Sequence, residues 1–348
     1  MSAQVGVAGS TIHWPINEAW LEKTREAILE PDIPIIDAHH HLMDRPLYHY
    51  LMPQFLADVN TGHNVRATVF VQASAMYRAE GPDEFRPIGE TEFVNGCAAM
   101  SASGLYGPAR CCAGIVSHVD LRLGDRAKPV LEAHIAAGNG RFRGIRHSAA
   151  RDASPAVRTT SAIPPEGLMA DANFRRGFAA LAPLGLSFDA WVYHPQIDEV
   201  RDLARAFPQT TIILDHLGGP VGVGPYAGRR DEVFATWKAA LARLAECENV
   251  FVKMGGLAMR ISGFDFPAHS DAPTSEKLAA AFRPYIETAV ELFGARRCLF
   301  ESNFPIDKGG CSYPVLWNAF KRVAAKCSRD EKLALFHDAA AAAYRLSE

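Results

Sequence analysis

Short apolar runs alternate with longer amphipathic segments along most of the chain. The runs are Ile33–Ala38, Ala67–Gln72, Ala113–Val119, Arg143–His147, Ser187–Tyr193, Thr211–Asp215, Val250–Met254 and Cys298–Glu301. Between them lie segments with helix-spaced apolar positions, including Lys128–Ala137, Ala172–Leu181, Ile197–Phe207, Glu232–Cys247 and Ser275–Phe293, and Ser328–Tyr344 closes the chain. Such alternation predicts parallel strands joined by helical crossovers, because a parallel pair cannot be connected by a tight turn. Eight strand-plus-helix units point to a (β/α)8 TIM barrel of the α/β class, where six would favour an open doubly wound sheet. Ahead of the first run, Asn17 can cap a lead-in helix in which Trp20, Leu21, Ile28 and Leu29 are roughly helix-spaced until Pro31 stops it. The chain therefore divides into an N-terminal extension with a helix, residues 1–32, and a single barrel domain with long βα loops, residues 33–348.

Polar residues gather where the apolar runs end: Asp37, His39 and His41; Gln72; His118 and Asp120; Arg146 and His147; His194; Asp215 and His216; Lys253; Glu301 and Asn303. In a parallel barrel all C-terminal strand ends meet on one face, so these groups are expected to converge in one cup. Segments rich in Gly, Pro and Ser follow several of the ends, at Ser148–Ala170, Gly218–Arg230 and Ala258–Thr274. Loops of that length serve as lids or binding loops.

Composition narrows the partners. The 348 residues exceed the roughly 150 of a typical domain, yet α/β barrels of about 200–250 residues or more fold as one unit. With 48% hydrophobic and 22% charged residues the chain can bury a large core. The 36 Lys+Arg against 39 Asp+Glu leave a net charge of −3, which gives no broad electrostatic drive toward nucleic acid or an anionic membrane. A small-molecule substrate is the expected partner, with self-association into a homo-oligomer left open. The seven cysteines include no CxxC pair, which indicates neither a zinc ribbon nor a disulfide framework and fits a reducing, cytoplasmic setting. Met1–Ser10 lacks a basic segment followed by an apolar stretch, and no window approaches about 18 uninterrupted apolar residues, so neither a signal nor a membrane span is expected.

His39 and His41 point to one side of an extended chain and can share an ion. Zinc and similar metals take imidazole nitrogen at about 2.0–2.1 Å, and a catalytic site needs further ligands and a position for water. Asp37 could hold a ligand imidazole by accepting its other N–H. The alternative for the pair is polar surface or a substrate hydrogen-bonding patch. Alternation along SFDAWVYH puts Asp189, Trp191 and Tyr193 on one side of a strand and Val192 with His194 on the other. His194, at the strand's end, is the expected third imidazole, with a satisfied core histidine as its alternative. His216, in LDHLGGP, could bind metal, polarise a carbonyl or hydrogen-bond the loop, and Gly218 and Gly219 would let backbone approach a ligand. Arg146 offers a charged fork to a carboxylate, sulfonate or vicinal oxygens, or pairs with Glu301 or Asp189 inside the barrel. Lys253 is too costly to bury alone, so it pairs with a carboxylate or meets an anionic ligand. Gln72, His118, His147 and Asp120 are weaker candidates that more often support reacting groups than react.

Taken together, and in order from about Ile33 to the C-terminus, IDAHHHL, VFVQAS, FRGIRH, FDAWVYHPQ, ILDHLGGP, VKMGGL and FESNFPIDK resemble the lactonase-like members of the amidohydrolase superfamily, in its amidohydrolase 2 branch. The resemblance implies a (β/α)8-barrel hydrolase that opens lactones of sugar acids or of aromatic-degradation intermediates. Related branches include non-oxidative decarboxylases of aromatic and muconate-type acids. The family's first-strand HxH maps onto His39 and His41, its fifth-strand histidine onto His194 and its sixth-strand histidine onto His216. With His39, His41 and His194 as ligands the expected cofactor is a divalent metal, zinc first, with a metal-free mechanism as the alternative. The sequence departs from the family at strand eight, where many members carry a general-base aspartate in an SDWP-like pattern and Ser302-Asn303-Phe304-Pro305 stands here. Asn303 can neither accept a proton usefully nor supply a charged ligand. Glu301, Asp307, or a histidine freed from metal duty such as His194 or His216 would then take the proton.

The expected function is ring-opening hydrolysis of a small carboxylated or polyhydroxylated lactone. An ion on His39, His41 and His194, or those imidazoles directly, would polarise the carbonyl, and Glu301, Asp307 or His216 would activate water. Arg146 and Lys253 would anchor the substrate, with Gln72 and Asn303 as further binding groups. Two rivals are a metal-dependent non-oxidative decarboxylase of an aromatic acid, and a catalytically degenerate ligand-binding barrel that lost turnover with the strand-eight aspartate.

Overall fold

The computed structural model describes residues 12–45, 48–159 and 162–346. Eight parallel strands follow one another around a sheet: β1 Ile35–His40, β2 Val65–Val71, β3 Arg110–Ser117, β4 Phe142–Arg146, β5 Ser187–Ala190, β6 Ile212–Leu214, β7 Val250–Lys253 and β8 Cys298–Leu299. The first and last come together where the Ala38 amide donates to the Phe300 carbonyl, the Asn303 amide to His39 and the His41 amide to Phe304. The sheet thus closes into the expected barrel.

Two-residue alternation divides the strands between two cores. Phe70, Ile115, Ile145, Phe188, Ile212 and Leu214 face the surrounding helices. Ile36, Ala38, Val69, Val71, Val116, Ile213 and Leu299 face the barrel interior and meet Ala339, Ala340, Ala343 and Tyr344 of the C-terminal helix. That helix covers the end at which the strands begin, so the interior is packed there and open at the other end. Each large apolar side chain fully buried in this way contributes about 1.5–3 kcal/mol.

The helix Ser275–Phe293 has the predicted limits, and Ala127–Ala137, Ile197–Ala206 and Arg230–Ala245 lie within two residues of theirs. Ala172–Phe178 stops short of Leu181, and the closing segment is interrupted by a π-helical turn at Ala334–Asp338. Met52–Val59, Ile88–Ala102 and Tyr313–Val323 are helices that the pattern does not single out. In Ile88–Ala102 the buried face includes Gly89, Glu90, Thr91, Ala98 and Ser101, small and polar residues that give no apolar stripe. Asn17 caps as predicted, accepting from the Trp20 amide at 3.1 Å, but the lead-in helix is only Glu18–Leu21. Beyond it Asn318 accepts from the Leu29 amide and donates to the Ala27 carbonyl, giving this backbone the partners that a longer helix would have supplied. Among the described residues no helix is long and apolar enough to cross a membrane, and all seven cysteines are free.

Candidate active site

The strand ends converge as the barrel requires. The register of β1 shifts between Asp37 and His40. Ile36 and Ala38 face the interior, and beyond the irregularity His39 and His41 do so as well, while His40 turns outward to stack on Phe55 with ring centroids 3.8 Å apart. A bulge re-aims side chains in this way. Over them opens a cavity of about 260 Å³. Its polar wall includes His41, Gln72, Arg146, His216 and Asn303, all singled out by the sequence, and also His13, Arg45, Ser148 and Thr159, which are not.

One carboxylate organises two imidazoles. Glu301 Oε1 lies 2.7 Å from His216 Nδ1, and Glu301 Oε2 lies 2.9 Å from His39 Nδ1. An ionised carboxylate only accepts, so the 2.7 Å contact favours the proton on His216 Nδ1 and a lone pair on its Nε2. Burial alone would raise the Glu301 carboxyl, but the facing His216 and His39 outweigh it and hold it down at about 2. Burial, reinforced by the Lys253 charge, brings His39 well below the usual histidine range, and burial with Arg146 does the same to His41. Both rings are therefore neutral at pH 7. His216 adopts a left-handed backbone, φ 52°, of the strained kind that clusters at functional sites. The two glycines of VKMGGL make room for this pair: a Cβ on Gly255 would collide with Glu301, and one on Gly256 would stand 2.6 Å from the His216 ring.

Beneath the imidazoles lies a buried ion network. Lys253 Nζ is 2.6 Å from Asp189 Oδ2, 2.9 Å from Asp215 Oδ1 and 3.1 Å from His39 Nδ1. Tyr344 donates its hydroxyl to the same Asp189 oxygen at 2.8 Å. Burial would lower Lys253, but Asp189, Asp215 and Glu301 outweigh it and raise its pKa, so it is a cation. Arg146 Nη1 sits 3.5 Å from Asp215 and 3.3 Å from His39 Nε2, while Nη2 donates to the Gln72 carbonyl at 2.6 Å.

The family model described as amidohydrolase matches residues 36–346. The chain belongs to the amidohydrolase family. Uncharacterized protein y4mH of Sinorhizobium fredii is 35% identical over 337 residues, 90% of this chain and 99% of that protein. An L-fucono-1,5-lactonase of Burkholderia multivorans is 29% identical over 242 residues, 68% of this chain and 72% of that one. A crystal structure of an amidohydrolase from Burkholderia multivorans with bound zinc matches with a TM-score of 0.69 at 25% identity, over 90% of this chain and 99% of that chain.

Several expected roles do not survive in this amidohydrolase. His194 is outside the cup. Strand β5 ends at Ala190, and Asp189 and Trp191 take the inward side, with Trp191 edge-on to His216 at 4.8 Å. The opposite parity sends His194 away, where it accepts from the Val221 amide at 3.4 Å, packs edge-on against Tyr226 and faces a separate depression with Asp198 and Arg229. Lys253 is fully buried among carboxylates and does not reach the cavity, so of its two alternatives the paired one is realised. Arg146 pairs with Asp215 instead of Glu301 or Asp189. Asp37 serves no imidazole; it accepts from the Ser302 amide and the Tyr313 hydroxyl, tying β1 to the end of β8. Gly218 and Gly219 pack on Ile197 and on Trp191 with Val192, not along the cavity.

Neither carboxylate proposed as a base lines the cavity of this amidohydrolase. Glu301 is occupied by the two imidazoles. Asp307 accepts from Asn303 Nδ2 at 2.9 Å and the Ala258 amide at 3.2 Å, and burial pushes it up to about 7. It positions Asn303, which itself lies at φ 54°. His118 donates to the Arg146 carbonyl, His147 accepts from the Leu121 amide and Asp120 holds Arg122, so these groups brace the end of β4.

The residues present fit a divalent ion. His41 Nδ1 donates to the Val71 carbonyl at 2.7 Å, which leaves a lone pair on Nε2, 3.2 Å from His39 Nε2. Two imidazoles sharing a tetrahedral ion at about 2.0–2.1 Å bring their nitrogens roughly this close. His39, His216 and Glu301 also offer ligand atoms within 4.8 Å of one another. Arg146 shares this corner, and its Nε has no hydrogen-bond partner among the described residues.

Proposed function

We propose that this amidohydrolase hydrolyses the ring of a small lactone bearing several hydroxyls or a carboxylate. The His216–Glu301 pair at the wall of a polar cavity carries the reading. Glu301 keeps the proton on His216 Nδ1, so Nε2 is the base: it takes a proton from water while the water oxygen bonds to the ester carbonyl carbon. The same imidazole returns that proton to the ring oxygen as its bond to the carbonyl carbon breaks, leaving a hydroxy acid. His216 thus replaces the missing strand-eight aspartate.

Arg146 supplies a fixed positive group for the charge that develops on the carbonyl oxygen, and Arg45 a second cation for an anionic substituent. Asn303, held by Asp307, orients water or a ring hydroxyl. A divalent ion held by His39 and His41 would supply Lewis-acid polarisation of the same carbonyl. The L-fucono-1,5-lactonase relative supports a sugar-acid lactone as the substrate class.

The test follows proton release from purified protein offered sugar-acid, muconate-type and pyrone lactones. Turnover of at least one sugar-acid lactone, falling about 10²–10⁴-fold in His216→Asn, is expected. No turnover across the panel rejects the reading.

A further inference from the structure

Gln72, Ala73 and Ser74, just beyond the end of β2, form part of the cavity wall, and this stretch is held from two sides. On the side away from the cavity stands Glu90 of the helix Ile88–Ala102, fully buried, whose Oε1 accepts from the Ala73 amide at 2.9 Å and the Ala75 amide at 2.8 Å. Ser74 between them takes a left-handed backbone, φ 56°, which brings both amides to that one oxygen. The helix comes this near because position 89 is glycine: a Cβ there would stand 2.5 Å from the Met76 carbonyl oxygen and 2.7 Å from the Arg78 nitrogen.

The same two peptide groups hold both arginines of the cavity. Arg146 Nη2 donates to the Gln72 carbonyl at 2.6 Å, and the N–H of that peptide is the Ala73 amide bound to Glu90. Arg45 Nη2 donates to the Ser74 carbonyl at 3.1 Å, and the N–H of that peptide is the Ala75 amide bound to Glu90. Arg45 donates to the Ala73 carbonyl as well. Each peptide thus has a carboxylate at its N–H end and a guanidinium at its C=O end, so each hydrogen bond polarises the peptide in the sense that strengthens the other. Arg146 has further neighbours in Asp215 and His39. Among the described residues Arg45 hydrogen-bonds only to the Ala73 and Ser74 carbonyls. No Asp or Glu is among the described residues lining the cavity, so the seat of Arg45 decides where a negative group can bind.

We propose that Glu90 is a positioning residue for an anion site in this cavity: through the Gln72–Ala73 and Ser74–Ala75 peptides it sets Arg146 and, above all, Arg45 to meet the carboxylate of a ligand. This rests on the lactonase reading of the same cavity, because the hydroxy acid released there is the anion to be held.

Calorimetric titration with galactonate, a ring-opened sugar acid, tests it on the unaltered protein, Glu90→Ala, Glu90→Gln, Arg45→Met and the double variant Glu90→Ala/Arg45→Met. Arg45→Met is expected to bind galactonate about tenfold more weakly, and Glu90→Ala, which frees both amides, weakens it by at least a similar factor. The two losses do not add: the double variant stays within about threefold of Glu90→Ala. Glu90→Gln keeps an acceptor for both amides and binds within about twofold of the unaltered protein. Hydrogen exchange followed by mass spectrometry reads the coupling from its other end and needs no change at Glu90: Arg45→Met speeds exchange in the peptide spanning Gln72–Ala75 by about tenfold and leaves β8 unchanged. Additive losses, a Glu90→Gln affinity as weak as that of Glu90→Ala, or unchanged exchange in Arg45→Met overturns the assignment while leaving the lactonase reading intact. Absence of galactonate binding by the unaltered protein overturns it too, and turnover of the lactone panel then decides the lactonase reading separately.

Discussion

Glu301 accepts from His216 Nδ1 at 2.7 Å through one carboxylate oxygen while its other oxygen faces His39 Nδ1 at 2.9 Å. Replacing Glu301 with Gln removes the buried negative charge that would stabilise the imidazolium formed when His216 takes a proton from water. Glu301→Gln is therefore expected to lower kcat by about 10²–10⁴-fold with KM nearly unchanged, as loss of an imidazole's orienting carboxylate does elsewhere. Steady-state kinetics on the best lactone check this. An unaltered kcat would assign water activation to another group.

His194 lies on the far side of β5 from the cavity, where it accepts from the Val221 amide and packs against the Tyr226 ring. His194→Ala should change kcat/KM by less than about twofold and cost about 1 kcal/mol of stability. A loss of turnover comparable to that of His216→Asn would return the role to it.

Lys253 is a fully buried cation between Asp189 and Asp215. Lys253→Met fills the space but leaves two buried carboxylates facing each other without a counter-ion, which costs about 3–5 kcal/mol. Urea unfolding measures it. A variant as stable as the parent would mean that the carboxylates take up protons at little cost.

Glu90 Oε1 accepts from both the Ala73 and Ala75 amides, while Oε2 has no hydrogen-bond partner among the described residues, and burial pushes the carboxyl from 4.5 up to about 7. A carboxyl raised in the folded state holds its proton where the unfolded chain has released it. Its contribution to stability is thus fully present below about pH 4.5 and is lost as pH rises through 7, on the order of 3 kcal/mol. Glu90→Gln keeps an acceptor for both amides and does not titrate. Its stability relative to the parent should climb between pH 5 and pH 8 in a series of urea titrations; a constant difference would show that Glu90 does not change charge in that range.

Zinc added to metal-stripped protein should raise Tm through linkage, by the equivalent of about 2.7 kcal/mol at a hundredfold excess over Kd. The His41→Asn variant should lose most of that rise, because the 3.2 Å pair of His39 and His41 nitrogens is broken. An equal rise in both proteins would put the ion elsewhere.

Much of this architecture is written along the chain. Eight apolar runs, separated by helical segments, suffice for a barrel because two-residue and 3.6-residue periods are local properties of a backbone. The strand-end positions of His39, His41, Arg146, His216 and Asn303 follow from the same periods, since a parallel barrel leaves its strand ends no other place to meet. Which groups touch within the cup was decided only in three dimensions. His216 meets Glu301 from 85 residues away, Lys253 finds its carboxylates across β5 and β6, and His13 enters from a segment with no strand to announce it. His194 shows the limit most directly: alternation correctly separated it from Asp189 and Trp191, but a period of two cannot say which side of a strand will face the axis. That choice belongs to the closure of the whole sheet, where the side that packs against helices and the side that fills the barrel are settled together.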